Sequence, residues 1–191
     1  MRLTARSSLG DVAVAVGDAL RRAGIRAVLT GGACAHVYTR GAYASHDADF
    51  VLREPCEAED LSDALAALGF ERRRDRYIHP RVPFVVEFPR GPLGIGGDFR
   101  IRPVWVRRGT ARALALSATD SCRDRLAAFY HWTDRQSLAV AASIALRNPV
   151  SYGKIRSWSR SEGQLDGYRE FLAELARARA ATRPGRRKPA G

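Results

Sequence analysis

From Ser8 to Arg22 apolar residues recur at helical spacing, with Val12, Val16, Ala19 and Leu20 on one stripe. Asp11 stands in the first turn, where the helix dipole favours a negative charge, and Gly24 stops the pattern. Ile25–Thr30 is then a short apolar run and predicts a buried strand. Gly31-Gly32 breaks it, and Ala33–Thr39 resumes a helical pattern. A polar turn (Arg40, Gly41, Ser45, His46) leads into a second predicted strand, Asp47–Leu52. Glu57–Leu68 predicts a helix ended by Gly69. Phe70–Ile78 predicts a charged strand or hairpin at a sheet edge, ending near His79-Pro80. Pro83–Phe88 is a strand bounded by Pro83 and Pro89. Arg90–Asp98, with Gly91, Gly94, Gly96 and Gly97, predicts a loop, and Ile101–Val106 one more strand.

After Arg112 the period changes. Asp120–Tyr130, Asp134–Leu146 and Gln164–Ala181 read as helices, separated by Thr133 and by an Asn148–Gly153 turn containing Pro149. The expected fold class is therefore α+β: a mixed β-sheet flanked by helices over residues 1–112, a C-terminal helical bundle over 113–181, and a disordered basic tail over 182–191. No internal repeat is present. The chain has 191 residues, 46% of them hydrophobic, enough for a core that needs no staple. Cys34, Cys56 and Cys122 are odd in number and widely spaced, which argues against a disulfide framework and against a zinc site. No signal peptide is recognisable and no run approaches a membrane span, so a cytoplasmic protein without a membrane partner is expected.

Charge changes the picture further. The net charge is +12, and of 32 basic residues only Lys154 and Lys188 are lysine. A GC-rich genome is one reading of arginine over lysine. The sign of the balance points to polyanionic partners such as RNA, DNA or nucleotide phosphates.

Chemistry concentrates in Val28–Leu52. Residues two apart in a strand project from one face, so Asp47 and Asp49 lie side by side while Ala48 and Phe50 turn away. Two carboxylates held that close repel unless a cation neutralises them, and an oxygen-only ligand set suits Mg²⁺, or Mn²⁺, over zinc. Gly31-Gly32 opens a helix directly after a strand, where free amides and the dipole favour phosphate. Glu87, a carboxylate within the apolar strand Pro-Phe-Val-Val-Glu-Phe, is the candidate third acid, as a metal ligand or general base. Arg40 and Ser45 are candidate phosphate contacts. Asp124 and Arg125 are candidates for the nucleotide cleft.

Each has a plainer reading beside it. An isolated Asp-x-Asp is commonly a turn or a cap, Gly-Gly a tight turn, and Glu87 a solvated edge carboxylate. Asp120, Asp124, Arg125, His131, Trp132 and Asp134 read equally as caps and intrahelical ion pairs, and His36 and His46 as packed or solvated side chains. Ser151–Arg160 mixes basic and aromatic residues as a nucleic-acid surface does, and as a partly solvated segment does. Gly94-Ile-Gly-Gly lacks the following helix of a dinucleotide fingerprint.

Strand, Gly31-Gly32, short helix, Asp47-x-Asp49 on the next strand and a later acid on another strand together resemble the signature of the DNA polymerase β-like nucleotidyltransferase superfamily. The likeness is nearest to its small prokaryotic members of toxin–antitoxin and abortive-infection type. Their Gly-Gly-x-Ala opening is matched by Gly31, Gly32 and, one place late, Ala35. The stretch Thr119–Leu138 is similar to the helical part of nucleotidyltransferase-like proteins. The resemblance covers residues 25–147 and is most specific over 30–50. It implies a nucleotidyltransferase-like sheet and Mg²⁺-dependent transfer of an NMP from an NTP to a hydroxyl, with RNA such as a tRNA end favoured as acceptor. Asp47, Asp49 and Glu87 would be the catalytic metal ligands and the Gly31 and Gly32 amides the phosphate cradle, and a protein partner in a toxin–antitoxin pair is implied as well. The chain departs from the pattern in three ways. Fourteen residues separate Gly32 from Asp47, the second glycine replaces the commoner serine, and no lysine stands nearby. The alternative is therefore a non-catalytic protein of the same fold, an antitoxin or RNA-binding module.

Overall fold

Helix α1 (Leu9–Arg22) opens with a capping box: the Ser8 hydroxyl accepts from the Asp11 amide, and the Asp11 carboxylate accepts from the Ser8 amide. The computed structural model describes residues 3–182, and of the expected basic tail residues 183–191 lie outside that range. After α1 come β1 (Ala27–Leu29), α2 (Gly31–Thr39), β2 (Asp47–Leu52), α3 (Ala58–Ala66), β3 (Glu71–Arg73), β4 (Arg76–His79) and β5 (Val82–Glu87). They are followed by β6 (Val104–Arg108), β7 (Ala111–Ala115), α4 (Ala118–Trp132), α5 (Arg135–Arg147), α6 (Tyr152–Ser161) and α7 (Leu165–Thr182). The architecture is α+β. Among the described residues the strands form one mixed seven-stranded sheet in the order β3-β4-β5-β2-β1-β7-β6.

Two parallel pairings, β2 with β5 and β1 with β7, interrupt an otherwise antiparallel sheet. Alternation along β2 buries Ala48 and Phe50 completely and leaves Asp47 and Asp49 half-buried on the other face. The Phe50 face packs on α1. A Cβ placed on Gly17 would stand 2.3 Å from the Ala113 Cβ and 3.4 Å from the Phe50 ring, so only glycine lets α1 approach the sheet this closely. Tyr77 and Phe88 lie on the same face, ring to ring at 5.7 Å, with the Tyr77 hydroxyl 3.3 Å from Ser62 of α3.

The sheet runs past Arg112, where the sequence pattern places the change to helices. Its β7 strand buries Ala111, Ala113 and Ala115. Alanine favours helices and carries little strand signal, so an Ala-x-Ala-x-Ala strand is legible only once α1 and β1 bury it. Strand β6 begins at Val104 rather than Ile101, just after Pro103, which has no N–H for a ladder. Tyr152–Ser161 forms a further helix, α6, capped by Ser151.

Helices α4, α5 and α7 pack together, and α2 packs against α1, α4, α5 and β2. The glycine-rich loop is pinned to α6, whose Trp158 indole donates to the Ile95 carbonyl at 3.1 Å while the Glu162 carboxylate accepts from the Gly97 amide at 2.8 Å. Trp158 is buried and stacks on Tyr130, so it belongs to the core and is no platform for a base. Cys34, Cys56 and Cys122 are free thiols. Among the described residues no helix is long and apolar enough to cross a membrane.

Candidate active site

The carboxylates meet through strand register. Parallel pairing of β2 with β5 sets Asp47 opposite Val85 and Asp49 opposite Glu87, so Asp47, Asp49 and Glu87 share one sheet face. Burial pushes the Asp49 carboxyl up to about 6, and the negative charges of Glu87 and Asp47 push the same way. Arg125 opposes this as a nearby cation, and Asp124 adds to it.

The second half of the site is the start of α2. Thr30 occupies the N-cap without a side-chain cap bond, whereas α1, α4, α5 and α6 are closed by Ser8, Ser117, Asp134 and Ser151. The first-turn amides of α2 are thus uncapped by a side chain, which is the arrangement that attracts an anion. Asp49 lies directly beneath. The Thr30 amide donates to the Asp49 carbonyl at 2.9 Å, and a Cβ on Gly31 would stand 2.4 Å from Asp49 Oδ2. A Cβ on Gly32 would meet Ser45 Oγ at 2.5 Å, so the loop between α2 and β2 folds Ser45 and Tyr43 onto the same turn.

Gly31 also has φ +61°, a conformation that favours glycine. Gly31→Ala is expected to cost about 1–3 kcal/mol, a fall in Tm of roughly 3–10 °C. Gly24→Ala is the control, because Gly24 has φ +79° with nothing within 4 Å of its virtual Cβ. A larger loss at Gly31 isolates the clash with Asp49. Equal losses would mean that Asp49 simply moves aside.

Arg125 is half-buried and pairs with Asp124 through Nη2 at 2.7 Å. Helix α4, packed on α2, brings this pair within electrostatic range of Asp49. Asp120 is not part of the group. It is buried and receives bonds from Ser117, Arg123 and Lys154. Asp134 caps α5, His131 stands 3.4 Å from Glu162, and Trp132 is exposed. Arg40 sits at the far end of α2 from Gly31, about 13 Å along the helix axis, with φ +55° and an exposed side chain. His46 is exposed, while His36 Nδ1 lies 2.6 Å from the Tyr43 carbonyl oxygen and holds the loop.

One neighbour is not legible from the sequence. Arg76 on β4 stands directly opposite Glu87, its Nε 3.7 Å from Glu87 Oε1. The only linear signal is the arginine-rich run itself. A separate cleft of about 650 Å³ lies between the Gly97–Arg100 loop and α6, lined by Arg123, Lys154, Trp158 and Glu162. Its cations are already paired: Arg123 with Asp98 and with the buried Asp120 of α4, and Lys154 with Asp120.

By its chemistry the set of Asp47, Asp49 and Glu87 is of the kind a hard divalent cation takes. It is oxygen-only, its charges are of like sign, and it faces an uncapped helix start. Among the described residues no group of three or more His, Cys, Asp or Glu side chains is placed so that it could hold a metal ion. Mg²⁺ ordinarily takes one or two carboxylates and completes its shell with water and substrate phosphate. Comparison with protein-family models, with curated proteins and with solved structures gives no match.

Proposed function

We propose that the chain is a nucleotidyltransferase that moves a nucleoside monophosphate from an NTP to a hydroxyl acceptor. The observation that carries this reading is the meeting of two features: the uncapped Gly31-Gly32 helix start lies against Asp49, in a face shared with Asp47 and Glu87. Phosphoryl and nucleotidyl transfer ask the protein mainly for position and charge, and these residues supply both. Asp47 and Asp49 are the residues that would hold Mg²⁺ or Mn²⁺, with Glu87 as third ligand or as base. Such an ion, when bound, offsets phosphate charge and makes a hydroxyl easier to deprotonate.

The Gly31 and Gly32 amides would hold the β- and γ-phosphates, with Ser45 beside them. Arg125, fixed by Asp124, would supply the cation that lysine supplies elsewhere. The acceptor oxygen attacks the α-phosphorus and forms a P–O bond. The bond from that phosphorus to the oxygen bridging the β-phosphate breaks, pyrophosphate leaves, and the hydroxyl proton passes to Glu87.

The test is incubation of the purified protein with each NTP, radiolabelled at the α-phosphate, in the presence of Mg²⁺ and total cellular RNA. Label is expected in a macromolecular product for one NTP or more, and EDTA is expected to abolish it. Label that never leaves the nucleotide pool under any divalent cation sinks the enzyme reading. A second reading, a non-catalytic binding protein of the same fold, has one observation in its favour: the third carboxylate, Glu87, is already engaged by Arg76.

A further inference from the structure

A row of facing residues crosses four strands. Arg73 pairs with Arg76, Arg76 with Glu87, and Glu87 with Asp49, from β3 through β4 and β5 to β2. Directly opposed residues of neighbouring strands project from the same face. Two arginines therefore stand in line with the carboxylates, their backbones about 10 Å and about 14 Å from that of Asp49 at ordinary strand spacing. The face is open: Arg73, Arg76 and Ile78 are exposed, and Glu87 is only half-buried.

The turn of this hairpin adds to the row. Arg72, Arg73, Arg74 and Arg76 fall within five positions, and the Arg72–Arg76 segment lines an open hollow. Arg73 pairs with Glu71, and Arg76 with Asp75 and Glu87. Among the described residues Arg72 and Arg74 have no carboxylate partner. Arg74 also holds φ +61° at the first turn position, which tight hairpins usually give to glycine. A charged, strained residue kept there is expensive for the fold, and it points to a use outside the fold.

We infer that the β3–β4 hairpin is the landing surface for the acceptor, and that the acceptor is a nucleic-acid strand end: phosphodiesters lie on Arg73 and on Arg74 at the turn, and the terminal hydroxyl points along the row toward Glu87. This rests on the nucleotidyltransferase reading for the role of the hydroxyl, while the binding surface stands on the arginine row alone. The triphosphate is excluded from the hairpin by topology. Its cradle at Gly31-Gly32 follows β1, on one side of β2, whereas β5, β4 and β3 lie on the other side. A planar guanidinium fork suits phosphate, and an array of them suits a repeating phosphate chain better than an isolated acidic side chain.

The experiment reads binding without nucleotide or metal. Fluorescence anisotropy of a short fluorescein-labelled single-stranded RNA, and of DNA of the same sequence, is measured over a series of salt concentrations. The comparison is between the unaltered protein and the variant Arg73→Ala/Arg74→Gly, which spares Arg76 and relieves the positive φ. Affinity is expected to fall at least tenfold at low salt. The slope of log K against log salt should shrink by roughly 1.4, at roughly 0.7 for each single-strand phosphate that the variant no longer neutralises. The tighter of the two probes assigns the strand as RNA or DNA.

Three results overturn the surface: no binding at low salt, an unchanged slope in the variant, or an equal loss when Arg156, Arg169 and Arg177 on α6 and α7 are replaced instead. Displacement of the strand by polyglutamate at equal charge also overturns it, in favour of an acidic protein partner. A protein that binds through the hairpin yet transfers no label keeps the surface and loses only the enzyme reading. Transfer to RNA with an unchanged KM in the variant does the reverse.

Discussion

Under the proposed function Asp49→Asn is expected to lose nucleotidyl transfer by about a thousandfold or more while making the metal-free protein more stable at neutral pH. The loss follows from removing a proposed oxygen ligand of the metal, where metal stabilisation of transition-state charge amounts to several kcal/mol. The gain follows from burial and from Glu87 and Asp47, which raise the Asp49 carboxyl to about 6 from an ordinary 3.8. An acid whose folded pKa is raised binds its proton more tightly in the folded state. Below about pH 4 it is protonated in both states and has no effect on stability. As pH rises through about 6 the folded state must carry an unwelcome charge, and stability falls by about 1–2 kcal/mol once partial exposure is allowed for.

Asparagine never acquires that charge. The variant should therefore match the parent in Tm near pH 4 and exceed it by roughly 2–8 °C above pH 7. Mg²⁺ should narrow the gap by stabilising only the parent. Thermal melts at both pH values, with and without Mg²⁺, beside the label-transfer assay, check all three statements. A variant that melts lower than its parent at neutral pH would show that Asp49 is a structural anchor and no strained functional charge.

Arg123→Met carries the largest expected loss of stability. The Arg123 side chain is wholly buried. Its two terminal nitrogens donate to Asp98 at 2.7 Å and Asp120 at 2.8 Å, and the guanidinium lies 5.0 Å from the centre of the Trp158 ring. It ties the glycine-rich loop, α4 and α6 to one another. The backbone bond from Arg100 and the bond from Arg123 hold the Asp98 carboxyl below its ordinary range. Without the arginine two carboxylates lose their main counter-charge, and Lys154 remains to serve Asp120 alone.

Breaking such a group from one side costs about 3–5 kcal/mol, so the Tm should drop by roughly 10 °C. Part of the loss should return in Arg123→Met/Asp98→Asn, where the abandoned charge is removed as well. Asp98 has a lowered folded pKa, so its stabilising contribution is present at neutral pH and is lost as pH falls into the acid range. The deficit of the single variant should shrink accordingly in acid. Chemical denaturation at two pH values measures it. A loss under about 1 kcal/mol would mean that water replaces the guanidinium without penalty.

The local signals that carry the site are few and specific. Alternation around Phe50 turns Asp47 and Asp49 to one face, and a strand broken by Gly31-Gly32 leaves a helix start beside them. Glu87 is conspicuous as a charge inside an apolar strand, but nothing in Pro83–Phe88 states which strand it will pair with. Arg76 is lost within a run of arginines, and its importance appears only when β4 is laid against β5. Arg40 illustrates the opposite relation between sequence and space. It is close to Gly32 in number, yet the intervening helix carries it away from the phosphate cradle. Ser151–Arg160 is ambiguous for the same reason, since a tryptophan beside arginines reads alike whether it faces water or, as Trp158 does, the core.

Composition and periodicity determined the α+β class, the position of most helices, and the shared face of the two aspartates, because each depends on interactions within a few residues or on the bulk balance of apolar and charged groups. Tertiary structure alone decided that Glu87 would face Asp49 on one side and Arg76 on the other, that alanines 111, 113 and 115 would form a strand beneath Gly17, and that Arg123 would be buried between Asp98 and Asp120. Those outcomes depend on strand register and on packing between distant positions of the chain, with 25 positions separating Asp98 from Arg123 and 96 separating Gly17 from Ala113. Pairing energy across a sheet is summed over two strands at once, so no single stretch of sequence contains it.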